Sequence, residues 1–440
     1  MASEPRVSAA GVVSFAQERR IRTVCAPQPA VPVRGPLAKT VPAVCRLPGP
    51  VDTGALEHAV NALVRRHPGL HYRFVNLDGR VSLRRVDGEE PGVPPVVPVS
   101  PDTAHHTDDA RMRVMRTEID RPFDVLGWPL LRAGVLQCDR PLFYLSADHL
   151  VTDGWSALLA AREVEELYTA ALEDRQANLP PTADFLRYSE AQRRRYASGP
   201  ALDRMVEGLH TLLGGRPVHP AFPVDAAWDL SRGRYLTLSL LDADETAELA
   251  KLCRSWRVTL FMAVLAAVGV AARELCLRTE VGVLVATHNR DDPDIRHGIG
   301  WYANMLPLYF PVGEAQRFGD AVREVRARLM ELLPYYELPL ARVLDATPSG
   351  YYDGLGTHTP TFFMSFVDLR GAEQAGRWHQ LDVAPAYRVG HGTWIVLRDS
   401  GLSAVVASPH LHSGEERVRE FESRIAAVLR GVVAHLAAAD

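Results

Sequence analysis

The stretch from Pro141 to Ser156 constrains this chain more than any other. Pro141-Leu142-Phe143-Tyr144-Leu145 is a short apolar run, the mark of a buried strand. Beyond it, Ala157, Leu158, Ala161, Val164 and Tyr168 recur at helical spacing. Between the two stands Ser146-Ala147-Asp148-His149-Leu150-Val151-Thr152-Asp153-Gly154-Trp155-Ser156. The pattern predicts a strand, a tight loop and a helix, with His149 at the strand end and Asp153-Gly154 where the helix begins. A strand end presents a side chain to a cleft, and a helix start offers unpaired backbone N–H groups that favour negative charge. One imidazole facing one such donor is a minimal acyl-transfer site. The ring takes or steers a proton from an attacking amine or hydroxyl, and the N–H steadies the oxyanion. Singly, the residues are ordinary: His149 fits a structural histidine, and Asp153 fits an N-cap or a buried ion pair.

A chain of 440 residues, 47% hydrophobic and 23% charged, can bury two or three soluble cores. Its net charge of −4 gives no overall case for nucleic acid. Arg19-Arg20 and Arg193-Arg194-Arg195 read as solvated helix faces, with docking of an acidic partner as the functional alternative. Five scattered cysteines (Cys25, Cys45, Cys138, Cys253, Cys276) form no Cys-x-x-Cys pair. That argues against a disulfide framework and against zinc, so no metal is expected. No basic-then-apolar leader and no membrane-length apolar window occurs; Val258 to Ala272 reads as a buried helix. The expectation is a cytoplasmic monomer without membrane contact.

In chain order, Ser14 caps a first helix. Residues 25–50 are rich in Pro and Val and read as extended. Asp52 or Thr53 opens a helix bearing Leu56, Ala59, Val60 and Leu63, and Pro68 ends it. Tyr72-Arg73-Phe74 and Val81-Ser82-Leu83 pair around Asp78-Gly79. His105-His106-Thr107-Asp108-Asp109 has polar neighbours and reads as exposed loop or helix start. Leu131 to Leu136 is the next strand, and residues 174–230 are a polar, partly Pro-rich connection. Then come a strand from Arg234 to Leu240, a helix from Asp242 to Trp256, and a buried helix capped by Thr259. Val281 to Thr287 is a central strand, Thr361 to Asp368 a late one. Ser413 and Glu416 form a capping box for a terminal helix whose apolar face holds Val418, Phe421, Ile425, Val428, Leu429, Val432 and Leu436.

Asp148-His149 through Asp153-Gly154 resembles the His-His-x-x-x-Asp-Gly signature of the condensation domains of nonribosomal peptide synthetases, members of the chloramphenicol acetyltransferase-like superfamily. Asp148 stands in place of the first His. Other family motifs follow in order. Ser14 to Arg19 resembles Ser-x-Ala-Gln-x-Arg. Arg66-His67-Pro68-Gly69-Leu70 with Arg73-Phe74 resembles a second motif, with His71 where an Arg is usual. Arg121 to Asp124, Trp128 to Arg132 and Asp184 to Tyr188 also match. A strand ending in Arg290 follows, and Ile299 to Leu308, which alone reads as a strand with a Gly bulge, resembles Ile-Gly-x-Phe-Val-Asn-x-Leu-Pro-Leu.

The resemblance implies an α/β (α+β) fold of two chloramphenicol acetyltransferase-like lobes in a V. The first is 1–180, the connection 181–230 and the second lobe 231–440, with His149 in the cleft between. It implies acyl or peptidyl carrier proteins as partners, delivering the acyl group as a thioester on phosphopantetheine to a small-molecule amine or hydroxyl. No cofactor is bound by the chain itself. His149 would accept or orient the nucleophile's proton and the Gly154 N–H would polarise the carbonyl. Asp153 would hold the loop, with Arg290 as its ion-pair partner. Trp155, Ser156, Asn304 and Ser365 would line the substrate channel with Asp148. Asp148 is expected to point away from the cleft and hold the turn, with Asp148→Asn retaining most acyl-transfer activity and Asp148→His tolerated or mildly altered. Three alternatives share the residues: an acyl-coenzyme A acyltransferase, a heterocyclising relative (Asp148, Asp153 and Ser156 also fit Asp-x-x-x-x-Asp-x-x-Ser), and a non-catalytic module that recruits a tailoring enzyme.

Overall fold

Apolar runs and helical periodicities alternate along the chain, and the runs pair into two main sheets and one two-stranded hairpin. A computed structural model describes residues 11–25, 40–77, 79–86, 96–99, 108–313, 317–347, 360–370, 378–381 and 390–437. The first half holds α1 (Phe15–Cys25), β1 (Thr40–Arg46), α2 (Thr53–Arg66), β2 (Tyr72–Leu77), β3 (Arg80–Arg85), β4 (Val97–Val99), α3 (Asp108–Ile119), β5 (Leu131–Leu136), β6 (Leu142–Asp148) and α4 (Gly154–Leu172). Next come α5 (Phe185–Arg195) and α6 (Pro200–Leu213). The rest holds β7 (Ala227–Asp242), α7 (Ala243–Trp256), α8 (Leu260–Cys276), β8 (Glu280–Thr287), β9 (Asn304–Pro311), α9 (Phe318–Leu332), α10 (Leu340–Ala346), β10 (Thr361–Asp368), β11 (His379–Leu381), β12 (Gly390–Arg398), β13 (Gly401–Ser413) and α11 (Glu415–Ala437).

The first sheet runs β11-β1-β6-β5-β4 and the second β7-β13-β12-β10-β8-β9. β6 is hydrogen-bonded on both sides, to β1 and β5, and all seven of its residues are buried. That explains its unbroken apolar run, since a strand covered on both faces has no polar alternation to show. α2 and α4 pack together over this sheet, burying Leu56, Val60, Leu63, Ala157, Ala161 and Val164 in one core. A second core gathers around α8, with Leu249, Val268, Leu284, Leu308, Phe362 and Phe421. Each lobe thus has its own sheet and core, the mixed α/β two-lobed architecture expected.

The lobes exchange segments. β11 comes from the second half yet pairs antiparallel with β1, and Trp378 beside it packs on Phe143 and Tyr168 of the first core. Phe15 of α1 joins the second core. The stretch 181–230 is no bare linker: it contains α5 and α6, and Leu202, Val206, Leu209 and Leu213 of α6 are buried in the second core. Polar residues and prolines on its outer side concealed that helical stripe.

Four local expectations need correction. β8 lies between β10 and β9, one strand in from the edge rather than central. In the Ile299 to Leu308 motif the strand begins only at Asn304, because the residues before it bond to α4 instead of to a neighbouring strand. Ser413 does not cap the terminal helix; it ends β13. Gly414, at φ +84°, turns the chain so that α11 starts at Glu415. Finally, Arg20 is no solvated helix face: its side chain is 3% exposed. Arg193 is also partly buried, bonded to Val13 O and paired with Glu18. The His105-His106-Thr107 run, Asp78 and the Leu436 side chain lie outside the described residues.

Candidate active site

β6 ends at Asp148, and a turn closed by Val151 N–H to Asp148 O reverses the chain at once. His149 therefore leaves the first sheet at the lobe junction. Two side chains of α1 grip the residues on either side of it. Arg20 Nε and Nη2 lie 3.0 and 2.7 Å from the two Asp148 oxygens. Gln17 Nε2 donates to Leu150 O at 2.7 Å, and Leu150 N–H donates to Asp148 Oδ1 at 2.9 Å. Asp148 thus holds the turn, as a short carboxylate can, and is also one half of a buried ion pair. It turns to Arg20 and forms no hydrogen bond to His149.

His149 is half-buried, with its ring centroid 4.1 Å from that of Trp301. Its Nδ1 is sealed off and finds no hydrogen-bond partner. Burial first, and the Arg20 charge second, hold the imidazole below its usual pKa of 6.5; its own backbone, Asp153 and Asp148 pull the other way. The ring is therefore neutral near pH 7, the form able to accept a proton.

Asp153 is the N-cap of α4, with Oδ1 accepting from Ser156 N–H at 2.7 Å. Its Oδ2 accepts from Tyr302 N–H and Ala303 N–H, each at 3.0 Å. Arg290 Nη2 reaches Asp153 Oδ1 at 3.2 Å, and both side chains are buried. Burial raises the Asp153 carboxyl, but Arg290 and the Ser156 and Ala303 donors outweigh it and leave it below the ordinary carboxylate value. Arg290 also donates to Gly298 O at 2.7 Å and to Ser156 Oγ at 2.6 Å.

Gly154 and Trp155, the first residues of α4, are exposed, and a Cβ on Gly154 would meet nothing within 4 Å. The Gly154–Trp155 end of the helix thus opens onto free space, where these two N–H groups have no intrahelical acceptor, while Ser156 N–H is taken by Asp153.

Two residues expected in the channel are bonded to backbone groups. Ser156 Oγ donates to Gly300 O at 2.7 Å and accepts from Gly300 N–H at 3.1 Å, so it ties the lobes together. Asn304 bonds Tyr336 O, Leu338 O and Leu340 N–H with its carboxamide and holds the segment before α10. Ser365 lies in β10 with Oγ buried and without a partner. The three residues of the heterocyclising spacing are all engaged in these packing contacts. Sequence reasoning missed Gln17, Arg20 and Trp301. The signal for Arg20 was its charge opposite that of Asp148, the one departure from the family string; Trp301 lay unremarked inside the Ile299 to Leu308 motif. Among the described residues no group of His, Cys, Asp or Glu could hold a metal ion. None of their helices is singly long and apolar enough to cross a membrane.

Two sheets and two cores arranged in this way make the chloramphenicol acetyltransferase-like fold. The chain belongs to the Condensation domain family, whose model matches residues 37–349. It is 29% identical over 333 residues to malpinin synthetase of Mortierella alpina, covering 74% of this chain and 4% of that protein. It is 25% identical over 347 residues to acyltransferase PapA3 of Mycobacterium tuberculosis, covering 76% and 69%. The fold matches the first condensation domain of the calcium-dependent antibiotic synthetase, solved with a substrate analogue, at a TM-score of 0.78 and 17% identity, covering 97% of each chain.

Proposed function

We propose that this chain is a condensation-type acyltransferase that moves an acyl or peptidyl group from a carrier-protein thioester to an amine or hydroxyl. The observation that carries the reading is His149, neutral and half-buried at the lobe junction beside the open Gly154–Trp155 end of α4. The acceptor nitrogen or oxygen attacks the thioester carbonyl, and the new C–N or C–O bond forms. Gly154 N–H stabilises the oxyanion of the tetrahedral intermediate. His149 takes or steers the proton lost by the nucleophile. The intermediate collapses by breaking the C–S bond, and the phosphopantetheine thiolate leaves and picks up a proton. The thioester already carries the activation, so the step needs no further cofactor. Asp153 and Arg290 act on the site's shape, since both Asp153 oxygens and both Arg290 Nη atoms are engaged with each other, with Ser156 or with the 298–303 backbone.

Intact-mass analysis of acylated carrier proteins incubated with the chain and candidate amines or alcohols tests this. The expected result is acyl loss from the carrier matched by an amide or ester of the acceptor. Transfer from acyl-coenzyme A but from no carrier would replace the donor assignment. Release of a dehydrated ring would favour the heterocyclising relative, and no transfer from either donor would overturn the reading.

A further inference from the structure

A histidine ring has a broad, roughly two-fold terminal torsion, so an acting imidazole needs something to fix its plane. The usual device is a carboxylate or carbonyl on the second ring nitrogen. Here Nδ1 has no such partner, Asp148 is turned to Arg20, and both Asp153 oxygens are taken. What touches the ring is Trp301, at a centroid distance of 4.1 Å and an interplanar angle of 38°.

Trp301 belongs to no strand or helix, yet its neighbours are pinned from one place. Ser156 Oγ holds both backbone polar groups of Gly300, and Asp153 Oδ2 holds the N–H groups of Tyr302 and Ala303. Both residues lie at the start of α4, a few residues after His149. Gly300 also packs so tightly on Phe185 that a Cβ there would come within 2.2 Å of its ring. The indole itself is 6% exposed. The loop that carries His149 in the first lobe therefore also holds, through Asp153 and Ser156, the second-lobe segment that stacks on it.

We propose that Trp301 is a positioning residue for His149, an indole from the second lobe that fixes the plane of the imidazole in the cleft. The proposal rests on the acyl-transfer reading for the identity of the acting group, but its structural half can be tested without substrate. The charged groups acting on the ring are Arg20 from α1, Asp148 from β6 and Asp153 from the start of α4, and none of them is altered by changing Trp301.

The experiment is histidine-selective NMR titration of the whole chain. With sixteen histidines, His149→Gln identifies the resonance. In the wild type the His149 Hε1 signal should be displaced upfield by the indole ring current and titrate below 6.5. Trp301→Leu should lose the displacement and raise the midpoint toward 6.5, as water reaches the exposed ring face. Trp301→Phe should keep much of both. An unmoved His149 signal and midpoint in a folded Trp301→Leu chain would overturn the proposal, as would a Phe variant that behaves like the Leu variant. With an acyl-N-acetylcysteamine thioester and a primary amine as probe, Trp301→Leu should lower kcat roughly 10-fold or more with little change in KM. A wild type inert toward every thioester tried would count against the proposed function, while the NMR titration would still decide the positioning of the ring.

Discussion

Replacing Asp148 with Asn separates a turn-forming carboxylate from a buried ion pair. The amide keeps the shape of the side chain and an oxygen to accept from Leu150 N–H, now at 2.9 Å. What disappears is the charge facing Arg20, whose guanidinium makes two contacts at 3.0 and 2.7 Å. Both side chains are 3% exposed, so water cannot replace the lost partner. Removing one member of a buried pair costs about 3–5 kcal/mol, against about 0.2–1 kcal/mol for an exposed one. The larger figure would be a substantial part of the roughly 5–15 kcal/mol that holds a typical domain folded. The expectation from the sequence concerns activity; for stability, Asp148→Asn should be strongly destabilising, and Asp148→His at least as much, since it sets a second potential cation against Arg20. Arg20→Met alone strands the carboxylate and should cost a similar amount. Arg20→Met with Asp148→Leu removes both charges, and should recover to within about 1–2 kcal/mol of the wild type, because well-packed apolar residues replace buried pairs at little cost. Urea unfolding followed by circular dichroism measures all of these variants, with an unchanged m-value as the control on the denatured state. An Asp148→Asn chain within about 0.5 kcal/mol of wild type, or a double variant no better than the two singles summed, would refute the argument.

His149→Ala should unfold at the wild-type denaturant midpoint and lose roughly 10²–10⁴-fold in acyl-transfer turnover if the ring does acid–base work; near-normal turnover would sink that role. Because its folded pKa lies below 6.5, the acid limb of the wild-type rate profile should fall below pH 6.5, which a pH–rate series reads directly. Asp153→Asn should lower stability at least as much as activity, with a double-mutant cycle to Arg290 giving the coupling. The folded Asp153 pKa is depressed below 3.8, so its contribution is present above about pH 3.8 and lost as pH falls through the lower folded value; the variant's deficit should shrink in acid unfolding curves. Ser156→Ala leaves Gly300 and Arg290 short of a partner and should cost about 1–3 kcal/mol, measured by thermal or urea unfolding.

Local periodicity made much of this molecule legible. The run before His149, the cap at Asp153 and the helical stripe after it recur in the structure as β6, the N-cap and α4. Arg290 enters through the resemblance, as the Arg after a strand, and the structure pairs it with Asp153. What stayed hidden depends on partners far along the chain. Arg20 looked like a polar helix residue, because nothing within α1 shows that Asp148, 128 residues away, waits for it. β11 is three residues long and makes sense only beside β1. Ser156 and Asn304 are small polar residues near a cleft, and either could have faced a substrate; backbone groups of the opposite lobe and of the segment before α10 claim them. Polar satisfaction is decided by three-dimensional neighbours, which residue spacing does not encode.

Polar satisfaction also divides the signature itself. Of its polar members, Asp148 faces α1, while Asp153 and Ser156 face the 300–303 segment. His149 is half-exposed, and Gly154 and Trp155 are left toward open space. Asp153 and Ser156 are therefore an interlobe joint, and the proposed chemistry falls to His149 and Gly154, which the joint leaves over. If the lobes part, Asp153 loses two backbone donors and Arg290, and the indole leaves the imidazole in the same movement. The contacts that Asp153 and Ser156 make across the lobes are also those that hold the segment carrying Trp301 against His149.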